Sequence, residues 1–589
     1  MVLHKLRALI AQHGLGYYLV LTGDDHNSEY VSPSDKRRAF ITEFTGSAGT
    51  AVIGADYAEL ATDGRYWLQA DAQLPPGWAL RKEGAPRVVP WLRAVAARAR
   101  AEEAPIGVDP RLITYADAQS LKEAGADLRA VEPNLVDLVW TNRPVRAREP
   151  VYELETQYTG RKSQLKIADL RHDLRKQRAD AIVLTALDDV AWLLNMRGSD
   201  IEYNPVFRAF LLVTHHDVKL YIDSDRDMPT EALVESGIAV RPHDEIYADV
   251  ATLARDATVW VPQGSSWAMA LAAGDSALLD RPSPVQLAKS IKNSVELEGA
   301  RKAQVYCGVS LVEQLSWLQA EVRAGRNVSE YEAAEKLLEI RRKLPQFKYL
   351  SFETISSSGP SAAVIHYSPP KEGSRLLSKR DVYLLDSGSH FLFGTTDTTR
   401  TAWFDTEPPP GEISEAYTLV LKGHIALAVA IFPDGTPGSK LDMLARQFLW
   451  KYGLNYIHGT GHGVGSFLNV HEGPASISMH SHEPVHEGFL LSNEPGFYKD
   501  GHFGIRIESL LAATRSNPKY ASSVSFLEFE TITIVPFDRN LIDPSLLTPE
   551  ELAWINAYHE MCREKLTPLV SDTGRAYLEY HTAPIMNND

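Results

Sequence analysis

Four carboxylates and one imidazole, each set in a short strand-like stretch, limit what this chain can fold into more than any other feature. They are Asp386, Asp397, His462, Glu494 and Glu508, in VYLLDSGSH, GTTDTTRTAW, HGTGHGVGSF, LLSNEPGFY and GIRIESLL. Acidic groups carried into an apolar interior are costly unless positive charge compensates them. Asp386 and Asp397 are eleven residues apart, with Gly388 and Gly394 between them. A turn there places both on adjacent antiparallel strands facing one pocket. Glu494 and Glu508 repeat the arrangement around Pro495, Gly496, Gly501 and Gly504, and His462 enters from a glycine-rich turn. Two divalent cations would neutralise such a set, and hard oxygen ligands with one histidine and no thiol suit manganese. The cluster points to a dinuclear metal hydrolase.

At 589 residues the chain exceeds what one core supports, so several domains are expected. It is 44% hydrophobic and 23% charged, without an apolar stretch that could span a bilayer. That is the composition of a soluble protein with no membrane partner. The N-terminal MVLHKLRALIAQHGLGYYLVL lacks a basic start, a long apolar run and a cleavage site, and reads as a helix leading into a strand. Two cysteines, Cys307 and Cys562, make no disulfide framework, which fits a reducing, cytoplasmic setting. A net charge of -16 with no basic stripe argues against nucleic acid.

Two stretches of the first half are alike. LRALIAQHGLGYYLVLTGDDHNSEYV from Leu6 and LRHDLRKQRADAIVLTALDDVAWLLN from Leu170 each carry a helix-period segment, an apolar run ending Val-Leu-Thr, and paired aspartates. Such self-similarity predicts a duplicated α/β domain. The copies are expected at 1–150 and 151–293, separated by the proline- and arginine-bearing TNRPVRAREPVYEL. From 294 to 589 a long amphipathic helix opens a third domain, and short strands follow from about Phe347. Two helical stretches, ISEAYTLVLKGHIALAVAIF and SKLDMLARQFLWKYG, interrupt them, so this domain is α+β. Three more histidines sit near the ligand motifs: His366 in AAVIHYSPP, His458, and His471 in NVHEGP. Neutral imidazoles there can donate to a substrate carbonyl or a developing oxyanion.

TISSSGPSAAVIHYSP, LLDSGSHFLFGTTDTTRT, HGTGHGVGSFLNVHEGP, LSNEPGFY, FGIRIESL and FLEFETITIVPFDRNLID, with EFTGSAGTAVI and ATDGRYWLQA upstream, resemble the pita-bread metallopeptidases. Within them the resemblance is to the long, three-domain aminopeptidase P branch, and it spans nearly the whole chain. It implies a pita-bread catalytic domain preceded by two creatinase-N-like α/β domains. It also implies removal of the N-terminal residue from peptides with proline second, through a hydroxide bridged by two metal ions, most simply Mn2+. The family's ligands fall on Asp386, Asp397, His462, Glu494 and Glu508, with Asp386 and Glu508 shared between the ions and Asp397 chelating one. Glu494 would also handle the proton, His471 and His366 would hold the substrate carbonyl and the oxyanion, and His458 would line the pocket. Arg506 would orient a carboxylate beside the substrate, and Arg65 would reach the substrate site of its own or a neighbouring subunit. Tyr498 and Phe497 are candidate walls for the proline ring, whereas Phe467 reads as core. The N-terminal domains are expected to narrow access and build a homodimer. A prolidase-like dipeptidase usually has one N-terminal domain, and a non-catalytic pita-bread binding protein loses the ligands; the duplication and the intact five residues weigh against both.

Overall fold

The expected duplication is written into the strand order. The computed structural model describes residues 2–586, apart from 224, 521 and 522. The described chain divides into two compact units, one of residues 1–156 and 161–286 and one of 157–160 and 287–589.

The first unit holds two sheets. In the first lobe the strands are β1 (Tyr17–Leu21), β2 (Thr50–Gly54), β3 (Ala58–Thr62), β4 (Ala79–Lys82), β5 (Ile106–Val108) and β6 (Leu128–Ala130), in the order β4-β3-β2-β1-β5-β6. In the second lobe they are β7 (Ala181–Leu184), β8 (Ala209–Thr214), β9 (Val218–Ile222), β10 (Ile238–Pro242) and β11 (Val259–Trp260), in the order β10-β9-β8-β7-β11. Orders and directions agree over five strands, and the first sheet adds a sixth, β6. The first strand of each lobe pairs antiparallel with the second and parallel with the fifth, and the third pairs parallel with the fourth. The segments that looked alike are the helices Val2–Gln12 and Ser163–Gln177 with β1 and β7 after them.

The paired aspartates part company. In the second lobe Asp188 and Asp189 begin the helix Leu187–Leu194, where negative charge favours an N-terminus. In the first lobe Asp24 accepts the backbone N–H of His26 and of Ser28, and Asn27 takes a positive φ of 57°. That local turn competes with helix formation.

The second unit opens with the predicted long helix, Ser294–Arg323, thirty residues with a complete Asn293/Glu296 capping box. The two internal helices run Gly411–Ala428 and Gly438–Trp450. Their apolar faces join a core that includes Leu311, Leu315, Tyr417 and Phe537. Around them lie antiparallel sheets, one of three strands (Ile355–Ser358, Tyr383–Asp386, Thr399–Ala402) and one of six that contains Gly461–Gly463, Glu472–Ile477, Leu490–Asn493 and Ser509–Ser516. His462 therefore lies in a strand, not in a turn. A side chain at Gly461 would place its Cβ 2.0 Å from the Ser492 carbonyl oxygen, so only glycine lets this strand close on its neighbour.

The start of Glu472–Ile477 is anchored by charge. Lys292 and Lys289 both meet the Glu472 carboxylate, Lys289 at 3.6 Å, and all three are buried. Removing one side of a buried ion pair strands the other charge. Glu472→Ala is expected to cost about 3–5 kcal/mol, read as a lower urea midpoint with an unchanged slope.

Candidate metal centre

The backbone brings the four predicted carboxylate ligands together in pairs. Tyr383–Asp386 and Thr399–Ala402 pair with Asp386 opposite Thr399, so Asp397, two residues before Thr399, returns to the same end of the sheet as Asp386. The intervening Ser389–Phe391 and Gly394–Thr395 pair as a short hairpin of their own. Leu490–Asn493 pairs with Ser509–Ser516 with Asn493 opposite Ser509. Glu494 and Glu508 are the residues just beyond that last pair. The hairpin Gly496–Lys499/Phe503–Arg506 fills the chain between them.

The donor atoms converge. Within each of three groups, Asp386/Asp397/Glu508, His462/Glu494/Glu508 and Asp397/His462/His471, they lie within 4.8 Å of one another. His462 Nδ1 lies 2.9 Å from the Gly463 carbonyl. A carbonyl only accepts, so Nδ1 carries the hydrogen and Nε2 presents a lone pair. That lone pair faces Asp397 Oδ2 at 3.3 Å and Glu494 Oε1 at 3.4 Å. Asp386 Oδ1 is buried and accepts no hydrogen bond among the described residues. Burial, then the neighbouring charges of Asp386 and Glu494, pushes the Asp397 carboxyl well above the usual range. Burial, then Asp397 and Asp386, does the same to Glu508, and burial raises Glu494. An orphaned carboxylate oxygen, a lone pair aimed at anions and mutually repelling acids fit bound cations.

Arg506 and His458 occupy two ends of one hydrogen-bond chain. Arg506 Nη2 donates to Asp386 Oδ2 at 2.7 Å and its Nη1 donates to the Tyr498 hydroxyl at 2.8 Å. His458 donates from Nδ1 to the Gly459 carbonyl at 2.7 Å, leaving Nε2, 2.9 Å away, to accept from Tyr498. Burial pushes the Tyr498 phenol up to about 12, so it stays protonated. Partners behind a ligand commonly change activity 10–100-fold when removed. Tyr498→Phe is expected to lower kcat by roughly 10–100-fold while metal content stays the same.

His471 stacks edge-on against His462, ring centres 4.4 Å apart. His366 follows the short helix Gly359–Ala363 and is half-buried. Phe467 is wholly buried, as core should be. Arg65 belongs to the first unit, where Asp63 holds it through two hydrogen bonds of 2.8 Å.

Sequence reasoning missed the supports. Thr399 donates to Glu508 Oε2 at 3.0 Å, and Ser492 donates to Glu494 Oε1 at 3.2 Å. Buried Arg400 reaches the backbone carbonyls of Thr399, Glu508 and Val535, and Arg341 grips Ser387 and the Gly388 carbonyl. Thr399, Arg400 and Ser492 lie within two or three residues of Asp397 or Glu494 in the ligand motifs, whereas nothing local pointed to Arg341.

A cation-demanding acidic cluster on antiparallel sheets, in a chain that also carries duplicated α/β lobes, defines a metallopeptidase class, and comparison with known proteins agrees. Residues 298–515 match metallopeptidase family M24 and 525–585 the C-terminal region of that peptidase. Residues 3–143 and 142–296 each match the creatinase/prolidase N-terminal domain. The chain belongs to metallopeptidase family M24, in the form with two such N-terminal domains and a pita-bread catalytic domain. Its relatives include a probable Xaa-Pro aminopeptidase P of Aspergillus niger, 44% identical over 99% of this chain and 98% of that one. An uncharacterised peptidase of Schizosaccharomyces pombe is 43% identical over 99% of both. A solved X-prolyl aminopeptidase from Caenorhabditis elegans, described as cytosolic with a di-nuclear active site, superposes with a TM-score of 0.95 at 37% identity, covering 99% of each chain.

Proposed function

We propose that this chain is a metal-dependent aminopeptidase that removes the N-terminal residue from peptides with proline second. The observation that carries the reading is the convergence of all five ligands, with the buried oxygen of Asp386 and the Nε2 of His462 left for cations. Full-length similarity to the A. niger and C. elegans proteins supports it.

Asp386, Asp397, His462, Glu494 and Glu508 would hold two divalent ions. The oxygen-rich donor set favours Mn2+. Such a pair supplies a water of lowered pKa and polarises the scissile carbonyl. Asp397 and Glu508 group with Asp386 on one side and His462 on the other, which supports these two as the ligands that would serve both ions. This reading differs from the one the resemblance implies, in which Asp386 and Glu508 are shared and Asp397 chelates one ion.

Glu494, its carboxyl raised by burial, accepts and returns the proton. His471 and His366 hold the substrate carbonyl and the oxyanion. Arg506 fixes Asp386, and His458 acts through Tyr498. Arg65 stays a candidate substrate contact, in its own or a neighbouring subunit. The proposal includes a cytoplasmic homodimer. Among the described residues no helix is long and apolar enough to cross a membrane.

An X–Pro amide has no N–H for recognition, so selection rests on packing of the pyrrolidine ring, with Tyr498 and Phe497 as candidate walls. Packing selectivity amounts to roughly 10–200-fold. With Mn2+, Arg-Pro-Pro is expected to exceed Arg-Ala-Pro in kcat/KM by that margin. Equal rates, or cleavage confined to dipeptides, would overturn the assignment.

A further inference from the structure

A second place in the molecule presents metal-binding atoms to one another, far from the M24 motifs in sequence. Within the first unit, the turn after β1 and the turn after β10 face each other across the two lobes. The first carries Asp25 and His26, the second His243, and the three are only 8, 3 and 2% exposed. Their donor atoms lie within 4.8 Å of one another.

The hydrogen bonds around the two rings determine which nitrogens are donors. His26 Nδ1 lies 2.8 Å from the Thr185 carbonyl, which only accepts, so Nδ1 carries the hydrogen. His243 Nδ1 lies 3.1 Å from Asp244 Oδ1, again an acceptor. Each neutral ring is therefore left with a lone pair on Nε2. The two Nε2 atoms point at each other, 3.3 Å apart, and His26 Nε2 is 3.4 Å from Asp25 Oδ1. Two lone pairs and a carboxylate oxygen repel unless a positive species lies between them.

The spacing says which species fits. Around a tetrahedral zinc with bonds of about 2.0–2.1 Å, neighbouring ligand atoms stand roughly 3.3–3.4 Å apart, which matches both observed distances. Each ring's other nitrogen already donates to a carbonyl or a carboxylate, the arrangement that orients ligating histidines in zinc sites. Phe210 covers both rings, with centres 4.2 and 4.8 Å away. The second oxygen of Asp25 accepts from Arg208 at 2.6 Å, and Arg111 approaches Asp244 at 4.0 Å. Arg208 faces Asp25 and Arg111 faces Asp244, while the buried Asp24 adds a third carboxylate beside Asp25 and His26, so the cluster still has room for positive charge.

We propose that Asp25, His26 and His243 bind one zinc-class divalent cation that clasps the two N-terminal lobes together, with water completing the shell. The clasp joins the Asp24-stabilised turn of the first lobe to the end of β10 in the second. It is separate in sequence and in donor set from the catalytic five, two nitrogens and one oxygen against four carboxylates and one histidine.

The test uses the full chain with His462→Ala and Glu508→Ala, which breaks each of the three donor groups of the catalytic centre. After chelation and dialysis, this protein is equilibrated with micromolar Zn2+, and bound zinc is counted per chain. One zinc is expected, lost when His243→Asn is added and weakened at least tenfold by Asp25→Asn, which keeps the side chain's size. Far-UV circular dichroism identifies any variant that has not folded. Cobalt substitution in the same background reads the site without a mutation there, through the intense visible bands of four-coordinate Co2+. No bound zinc and no such bands would mean that the rings share a proton instead, and the proposal would fall. One zinc retained in both His243→Asn and Asp25→Asn would place the ion elsewhere and overturn it equally.

Discussion

Asp397→Ala is expected to lower kcat/KM on penultimate-proline peptides by about 10³–10⁴-fold or more, the equivalent of several kcal/mol of lost metal-borne transition-state stabilisation. Asp397 faces His462 at 3.3 Å and groups with Asp386 and Glu508 as well, so its loss disturbs both ion positions at once. The same substitution should make the metal-free chain more stable, because it removes one of several buried, mutually repelling carboxylates. The paired outcome is diagnostic. A residue that merely held the fold would lower the melting temperature of the metal-free protein, whereas a ligand raises it and abolishes the gain on adding Mn2+. Calorimetry with and without metal, beside peptide hydrolysis, reads both. Undiminished turnover would exclude Asp397 from the centre.

Chelation should reverse the pH dependence of this contribution to stability. Asp397, Glu494 and Glu508 have folded-state pKa values above their unfolded values, with burial the leading cause. A carboxyl raised in this way binds more protons folded than unfolded. Its contribution is therefore present below the unfolded value, near pH 4, and is lost as pH climbs through the raised folded value. Bound metal acts in the opposite direction, because ligands must be deprotonated and binding tightens with pH. Metal held at about 1,000 times its dissociation constant adds about 4.1 kcal/mol. The melting-temperature gap between Mn2+-loaded and EDTA-treated protein should widen steadily from about pH 5 to about pH 8. A gap independent of pH would mean that the carboxylates are not the ligands.

Much of the catalytic centre was legible because its parts are local. Each ligand sits in a stretch whose glycines and alternating apolar residues announce a strand or its end, and the pairing of Asp386 with Asp397 and of Glu494 with Glu508 follows from turns between them. The duplication was legible for the same reason, since helix Val2–Gln12 with β1 and helix Ser163–Gln177 with β7 are continuous segments. His462 was placed in a turn because glycines on both sides usually mean one. The strand forms because Gly461 lets it approach the Ser492 carbonyl closely and Gly463 the Glu472 carbonyl, and Ser492, which accepts from the His462 N–H, lies thirty residues from it.

Contacts made across long stretches of chain were hidden for a common reason. Arg341 meets Ser387, Lys292 meets Glu472, and His26 meets His243, across sequence separations of 46, 180 and 217 residues. Side chains brought together over such distances leave no periodic trace, and each alone reads as an ordinary charged or aromatic residue. The amino-acid sequence by itself determined the donor atoms, the duplicated lobes and the chemistry that acidic ligands with one imidazole can perform, because composition and local pattern carry that information. Only the tertiary structure decided which oxygen is left without a hydrogen bond among the described residues, which ring nitrogens keep a lone pair and which carboxylates lie together. Those properties belong to the spacing between segments, and packing alone sets that spacing.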